Sequence, residues 1–254
     1  MRRLGLVALA LIACDAHPRA APTVATVAAV TPALVVVDAR ADAALRDAAI
    51  LASIDAPMAF GKERETLTLA YRRQHSDPAA SDVVIAPRII VIHSTGGDSA
   101  RATRAYFDNP RIEAARTTLA RGGAVNVSAH FLVDRNGTIY RLQLATRYAR
   151  HCIGLNHTAI GIENVGDETA APLTRAQLAA DAALVRELVA QFPIKYLLGH
   201  YEVMQFRANP MFVERDATYS NDKPDPDAAF MTALRERVAD LPLAGIQGPD
   251  ASAS

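Results

Sequence analysis

The sequence shows no excess of charge of either sign. Lysine and arginine together number 27 in the 254 residues, aspartate and glutamate also number 27, and the formal net charge is zero. A neutral chain has no general electrostatic attraction to nucleic acid, so we expect no nucleic-acid partner. Tryptophan is absent, aromatic residues make up only 6%, and no internal repeat is visible. The length suffices for one sizeable domain with extensions.

Cysteine is equally scarce, with Cys14 and Cys152 the only two. Cys14 ends the stretch MRRLGLVALALIAC, in which two arginines precede an apolar run that is too short to span a bilayer as a stable helix. This pattern predicts a secretion signal over residues 1–14. The ending Leu-Ile-Ala-Cys resembles the bacterial lipoprotein cleavage box, which implies that Cys14 becomes the lipidated first residue.

Lipidation of Cys14 would have two consequences. It would anchor the protein in the periplasmic cell envelope through a lipid alone, and the sequence leaves the choice between inner and outer membrane open. It would also leave no pair of cysteines for an intramolecular disulfide, so stability must come from the core or from a metal. The alternative is an ordinary signal peptide with a chance cysteine at position 14.

The remaining chain divides into four predicted segments. A stretch rich in Ala, Pro, Thr and Val predicts a tether over residues 15–38, and helical spacing predicts an N-terminal helical extension over residues 39–82. Strand and helix patterns alternate over residues 83–243, which we interpret as the main domain. We expect the tail at residues 244–254 to be disordered.

Strands mixed with helices characterise the predicted main domain. Ile89–His93 is an apolar strand, and Asn136-Gly137 marks the turn of a hairpin between two β-rich runs. Thr174 and Gln177 form a capping box at the start of the clearest helix. This order predicts an α/β or α+β fold, in which helices flank a mixed central β-sheet.

Two of the seven histidines, His93 and His200, each stand at the carboxyl end of an apolar strand. In a sheet covered by helices, that edge commonly carries a functional site. An open catalytic zinc site needs a third ligand, with water in the fourth position. The H-E-x-x-H helix of zinc peptidases is absent. The residues alone leave the third ligand open among six acidic side chains: Glu202, Glu214, Asp216, Asp222, Asp225 and Asp227.

Five ordered segments between about residues 88 and 237 carry a family resemblance: IVIHSTGG, NVSAHFLVDRNGTIYRL, ARHCIGLNHTAIGIENVG, IKYLLGH and KPDPDAAF. Together they resemble the zinc-dependent N-acetylmuramoyl-L-alanine amidases, a family that includes an amidase-type phage lysozyme and the peptidoglycan recognition proteins. The resemblance implies a single domain of that fold, with zinc as the cofactor and peptidoglycan or muropeptides as the partner.

The resemblance also implies roles for particular side chains. His93, His200 and Asp225 match the family's zinc ligands, and Glu163 matches its catalytic glutamate. Zinc would activate water and polarise the amide carbonyl, while Glu163 would take the water proton and pass it to the leaving amine.

Three further residues are expected around the substrate. Lys223 matches a lysine that assists catalysis, and either Lys223 or a protonated His151 could stabilise the oxyanion. His151 falls where family members often have a histidine lining the cleft, and Asn164 is a predicted substrate-binding residue. A cysteine nucleophile at Cys152 is a further alternative.

The sequence departs from the family pattern at three places. Asp227 replaces the glycine that follows Asp-Pro, which puts a competing carboxylate beside the proposed ligand Asp225. The segment 201–222 is longer than in compact members, and we expect it to shape the cleft. Ala129 occupies a position that is often tyrosine in phage members, so no tyrosine role is assumed there.

The predicted activity is hydrolysis of the amide bond between N-acetylmuramic acid and L-alanine, in peptidoglycan or its fragments. One alternative is a module that binds peptidoglycan without cutting it. Another is a different zinc amide hydrolase on the same fold, acting on free peptides. An intact set of three ligands together with Glu163 favours the amidase.

Overall fold

The structure is a computed structural model that describes residues 53–246. Its six strands are β1 (Ser53–Asp55), β2 (Ile89–Ser94), β3 (Phe131–Val133), β4 (Ile139–Arg141), β5 (Ala159–Asn164) and β6 (Tyr196–Gly199). They form one sheet in the order β1-β4-β3-β5-β2-β6. Only the β3–β4 pair is antiparallel. The sheet is therefore mixed, as the sequence predicts.

Within the described residues, five α-helices accompany the sheet: α1 (Lys62–His75), α2 (Ala100–Asp108), α3 (Thr117–Arg121), α4 (Arg175–Gln191) and α5 (Ala228–Arg237). Two 3₁₀ turns, His200–Glu202 and Gln205–Ala208, follow β6. Helices α4 and α5 cover one face of the sheet, where Leu188 and Leu234 pack against Ile90 and Ile162 in the largest apolar cluster. Burial of such side chains is the main source of folding stability.

Local signals in the sequence account for several of these elements. The Thr174 side chain accepts a hydrogen bond from the Gln177 backbone, and the Gln177 side chain accepts one from the Thr174 backbone, which confirms the predicted capping box of α4. Gly137 has φ of 86° in the predicted turn between β3 and β4, a conformation that favours glycine. The side chain of Ser99 caps α2 by accepting a hydrogen bond from the Ala102 backbone.

Between residues 53 and 82 the chain is only partly helical. Helix α1 lies within the predicted helical extension, but Ser53–Asp55 forms a strand that pairs with β4. Tyr71 of α1 is buried in a cluster that includes Tyr148 and Tyr219. A strand at the sheet edge takes its conformation from long-range pairing, which helical spacing in the sequence does not report.

Other predictions fall on residues that the structure does not describe. These are the signal peptide with Cys14, the tether at 15–38, the part of the extension before residue 53 and most of the tail. The segment boundaries stay predictions. Between residues 53 and 246, no helix has both the length and the apolar character needed to cross a membrane.

Candidate active site

A row of side chains crosses the carboxyl ends of the three parallel strands β5, β2 and β6. His93 is the register partner of Glu163, and Ile92 is the partner of Gly199, the residue before His200. Parallel in-register strands point paired side chains to the same face of the sheet. The topology therefore places Glu163, His93 and His200 side by side at the carboxyl ends of these strands.

The same alternation directs Asn164 away from this row. Asn164 follows Glu163 directly, is fully buried, and donates its side-chain amide to Asp181 of α4 at 2.9 Å. Successive residues of a strand face opposite sides, so Glu163 and Asn164 cannot both line the cleft. The structure thus corrects the predicted substrate-binding role of Asn164, which lies under the helices instead.

Asp225 completes a cluster with the two histidines. Its Oδ2 lies 3.2 Å from Nδ1 of His200 and 3.6 Å from Nδ1 of His93, and the two Nδ1 atoms are 2.9 Å apart. The backbone amide of Ser94 donates to Oδ2 at 3.2 Å, and that of Tyr201 donates to the Asp225 carbonyl at 2.8 Å. These contacts fix the loop before α5 against the ends of β2 and β6.

These three side chains fit a divalent metal ion. Their ligand atoms all lie within 4.8 Å of one another in the described part of the chain. In a tetrahedral zinc site with bonds of about 2.0–2.1 Å, the ligand atoms would be roughly 3.3 Å apart, close to the separations above. Two imidazoles and a carboxylate are also common zinc ligands. The donor set and its spacing therefore suit zinc.

The charge states also suit a cation. Burial, reinforced by His200, lowers the pKa of His93 to about 4, so its imidazole is neutral at pH 7 and can offer a lone pair. Burial acts to raise the pKa of Asp225, but the imidazoles of His200 and His93 outweigh it and hold this pKa far below its ordinary value. Asp225 is therefore an ionised ligand candidate.

Glu163 has the environment of a proton-transfer group. Burial, assisted by the Asp225 carboxylate, raises the pKa of Glu163 to about 8, and Lys223 opposes that rise. Its Oε2 is buried without a hydrogen-bond partner. A carboxyl group in a cleft whose pKa lies close to neutral pH can both accept and release a proton.

The cluster lies in a cleft with a volume of about 330 Å³. Lys223, His151 and the three ligand candidates line it together with Glu163. The segment 201–222 contributes Tyr219 and Asn221 to the wall, which agrees with its expected part in shaping the cleft. Tyr219 is held by a hydrogen bond of 2.8 Å from the buried guanidinium of Arg150.

His151 is nine-tenths buried, and its Nδ1 lies 3.0 Å from Nε2 of His93. Burial, with further contributions from His93 and His130, lowers the pKa of His151 well below its ordinary value. The protonated form that the sequence left open as an oxyanion partner is therefore disfavoured, and Lys223 is the better candidate. Cys152 is buried too, which raises the pKa of its thiol and disfavours a thiolate nucleophile.

The competing carboxylates of the sequence have other partners. Asp227 caps α5 by accepting a hydrogen bond from the Ala229 backbone at 2.7 Å. Glu202 accepts from the Gly199 backbone at 2.8 Å and pairs with Arg235. Glu214 pairs with His75 at 2.8 Å. The geometry thereby separates Asp225 from these three candidates, which the residues alone, without the family resemblance, left open.

No pattern in the sequence predicted that two further residues would line the cleft. Arg116 and Tyr106 line the cleft and are joined by a hydrogen bond of 2.9 Å. Arg116 precedes the short helix α3 in an irregular stretch without periodicity. Its position depends on tertiary packing, and only a match to a relative with a known cleft could have indicated it.

A family model described as N-acetylmuramoyl-L-alanine amidase matches residues 84–238. This span covers more than half of the chain and includes all the site residues described above. The chain belongs to the N-acetylmuramoyl-L-alanine amidase family. A search of curated proteins finds no significant match.

Solved structures similar to this amidase-family chain share low sequence identity. The endolysin N-acetylmuramoyl-L-alanine amidase LysCS from Clostridium intestinale is 22% identical, covering 61% of this chain and 85% of its own, with a TM-score of 0.40. A selenomethionine derivative of AmpD is 20% identical over 72% and 94% of the two chains, with a TM-score of 0.43. PGRP-SA from Apis mellifera is 18% identical over 51% and 86%, with a TM-score of 0.37. Since these scores lie below 0.5, the family assignment rests on the family model alone.

Proposed function

We propose that this member of the amidase family is a zinc-dependent hydrolase of the amide bond between N-acetylmuramic acid and L-alanine. Its substrate would be peptidoglycan or soluble fragments of it. The observation that carries the proposal is the convergence of His93, His200 and Asp225 in the cleft that Glu163 also lines. A protein that only binds peptidoglycan would not need this whole set.

An amide is a poor electrophile and water is a poor nucleophile at neutral pH. Zinc held by the three ligands would supply Lewis acidity, which activates water and polarises a carbonyl. Glu163 would take a proton from the attacking water and deliver it to the departing nitrogen of L-alanine. A bound cation would also favour the ionised form of Glu163, against the effect of burial.

Lys223 would stabilise the negative charge that develops on the carbonyl oxygen. It lines the cleft and is close enough to lower the pKa of Glu163. A positive charge aimed at a developing oxyanion is worth more in a partly water-excluded site than in open solvent. The remaining cleft wall, including Tyr219 and Arg116, would orient the sugar and the stem peptide.

The test is digestion of both polymeric peptidoglycan and purified muropeptides, with product masses as the readout. We expect cleavage between the lactyl group and L-alanine, which leaves a peptide product with a new free amino terminus on L-alanine. A chelator should abolish the reaction and added zinc should restore it. Cleavage inside the stem peptide would contradict the proposed bond and indicate the other zinc amide hydrolase. Intact muropeptides that bind with measurable affinity would indicate a binding module.

We also propose that the protein works in the cell envelope, anchored by a lipid on Cys14. This proposal rests on the sequence of residues 1–14. Membrane fractionation of the wild type and a Cys14→Ala variant tests it, because only the wild type should be recovered with membranes. Equal partition of the two proteins would contradict lipid anchoring.

A further inference from the structure

His151 lies between a metal-ligand candidate and the backbone of β5. Its Nδ1 is 3.0 Å from Nε2 of His93, and its own Nε2 is 3.2 Å from the carbonyl oxygen of Ala159. The imidazoles of His93 and His151 meet edge to face, with ring centroids 5.1 Å apart. The two rings and the carbonyl form a chain of hydrogen bonds that ends at the ligand atom of His93.

The carbonyl of Ala159 decides which nitrogen donates and which accepts in each of these hydrogen bonds. A carbonyl oxygen only accepts, so Nε2 of His151 must carry a hydrogen and donate it. In a neutral imidazole the other nitrogen then accepts, and Nδ1 of His151 receives the Nε2 hydrogen of His93. Nδ1 of His93 is left with a lone pair, directed at Nδ1 of His200 and Oδ2 of Asp225. With the opposite tautomers, Nε2 of His151 and the carbonyl oxygen of Ala159 would be two acceptors facing each other. Nδ1 of His93, the proposed ligand atom, would then carry a hydrogen.

Packing holds the His151 ring in place for this task. Gly161 of β5 lies against the ring, and a Cβ at position 161 would come within 2.7 Å of the His151 ring atoms. The backbone amide of His151 donates to the side chain of Asn156 at 2.8 Å. Glycine thus leaves the space that the imidazole fills, and the loop that carries His151 is fixed by Asn156.

We infer that His151 is a positioning residue, which orients His93 and fixes its tautomer so that Nδ1 presents a lone pair to the metal. The inference rests on the proposed zinc function. Metal-bound histidines usually donate their second N–H to a carboxylate or a backbone carbonyl. Here an intervening imidazole relays that interaction from the carbonyl of Ala159 to His93. His151 therefore acts on the metal site through His93 and without contacting the reacting atoms.

The first experiment needs no substitution. Long-range proton–nitrogen correlation spectra of the metal-free wild-type protein report which nitrogen of each neutral histidine carries the hydrogen. We expect hydrogen on Nε2 of both His93 and His151. A dominant Nδ1–H form of His93 would overturn the inference, and it would do so without bearing on whether zinc binds.

The second experiment compares two variants of His151 by zinc competition with a chelator. His151→Leu removes the acceptor for His93, and we expect about 10–100-fold weaker zinc binding together with a mixture of His93 tautomers. His151→Asn keeps an oxygen acceptor near the position of Nδ1 and should bind zinc within a few-fold of the wild type. Thermal unfolding of the metal-free variants checks that both are folded.

The outcomes separate this inference from the proposed function. Equal zinc affinity of wild type and His151→Leu would overturn the positioning role while leaving the zinc site intact. Equally weak binding by His151→Leu and His151→Asn would also overturn it, since it would point to packing of the ring as the cause. Absence of zinc binding by the wild type would instead contradict the proposed function.

Discussion

At the scale of single residues, the site depends on groups whose neighbours set their charge and hydrogen-bonding state. Burial lowers the pKa of His93 and raises that of Glu163, whereas the neighbouring imidazoles, His200 first, hold the pKa of Asp225 low against the effect of burial. Each of these side chains would behave differently in water. The proposed division of tasks between metal ligands and a proton carrier therefore follows from the environment of each side chain as much as from residue type.

Replacement of Glu163 by glutamine tests its assignment to proton transfer. The amide is nearly isosteric but cannot accept the proton of water, so turnover should fall by roughly 10²–10⁴-fold. Zinc affinity should stay within a few-fold of the wild type, because Glu163 is not among the three ligands. Steady-state kinetics and a zinc competition assay measure the two effects.

The matched control for this substitution is Asp222→Asn, which removes an exposed carboxylate near Lys223. It should leave both turnover and zinc binding close to wild-type values. If Glu163→Gln keeps most of its activity, or loses zinc along with it, the proton-transfer role is wrong.

The sequence, read with its family resemblance, predicts much of this site but not all of it. The family resemblance identifies His93, His200, Asp225 and Glu163, and the structure brings them together. It places Asn164 wrongly because a motif does not state which face of a strand each residue occupies. The chain of contacts through His151 was not predicted either, because it requires the ring positions of residues that are distant along the chain.

At the scale of elements, the parallel strands β5, β2 and β6 bring distant parts of the chain together at their carboxyl ends. Their apolar runs and the histidines that end them are visible in the sequence, as are the hairpin and the capping box of α4. The strand β1 and the 3₁₀ turns after β6 are not, because they depend on pairing and packing with remote segments. Local signals thus predict the strands that carry the site better than the edge strand β1 or the turn that begins at His200.

Helix α4 meets the sheet through a buried acid, which leads to a prediction about stability and pH. Asp181 is fully buried, and burial raises its pKa to about 7, with the Asn164 amide opposing that rise. An aspartate in the unfolded chain titrates near 3.9. The folded state therefore binds more protons than the unfolded state between about pH 4 and 7, and stability from this group is lost as pH rises through that window.

Asp181→Asn should remove this pH-dependent loss of stability, because the amide that replaces the carboxyl group carries no charge. We expect the variant to gain on the order of 1–3 kcal/mol over the wild type at pH 8, with little difference near pH 4. Thermal or urea unfolding at both pH values measures the gain. Asp240→Asn, at an exposed carboxylate whose pKa is lowered by Arg186, is the control and should not stabilise the protein at pH 8. A pH-independent difference for Asp181→Asn would contradict the assigned titration.

At the scale of the whole molecule, the proposed metal would join parts of the fold that are otherwise held by strand pairing, a few hydrogen bonds and packing. His93 is the next-to-last residue of β2, His200 follows β6, and Asp225 precedes α5. Among residues 53–246 the one cysteine, Cys152, is unpaired, so no disulfide shares this task there. Binding to the folded state only would stabilise it in proportion to the logarithm of the free zinc concentration.

Metal removal should therefore lower the thermal midpoint of unfolding. At free zinc about 1,000-fold above the Kd, the stabilisation is about 4.1 kcal/mol, which corresponds to a shift of roughly 8–16 °C for a chain of this size. Calorimetry with zinc and with a chelator measures the shift, and magnesium in place of zinc serves as the control. An unchanged midpoint under all three conditions would contradict selective binding of zinc to the folded state.

The most direct measurement of the central claim is the zinc content of three purified proteins: the wild type, Asp225→Ala and Asp227→Ala. Asp225 belongs to the ligand cluster, whereas Asp227 caps α5, so the pair separates metal binding from loss of a nearby carboxylate. We predict about one zinc per chain in the wild type and in Asp227→Ala, the latter with a loss of about 1 kcal/mol of stability. Asp225→Ala should contain almost none. Stoichiometric zinc in Asp225→Ala, or none in the wild type after zinc loading, would contradict the account.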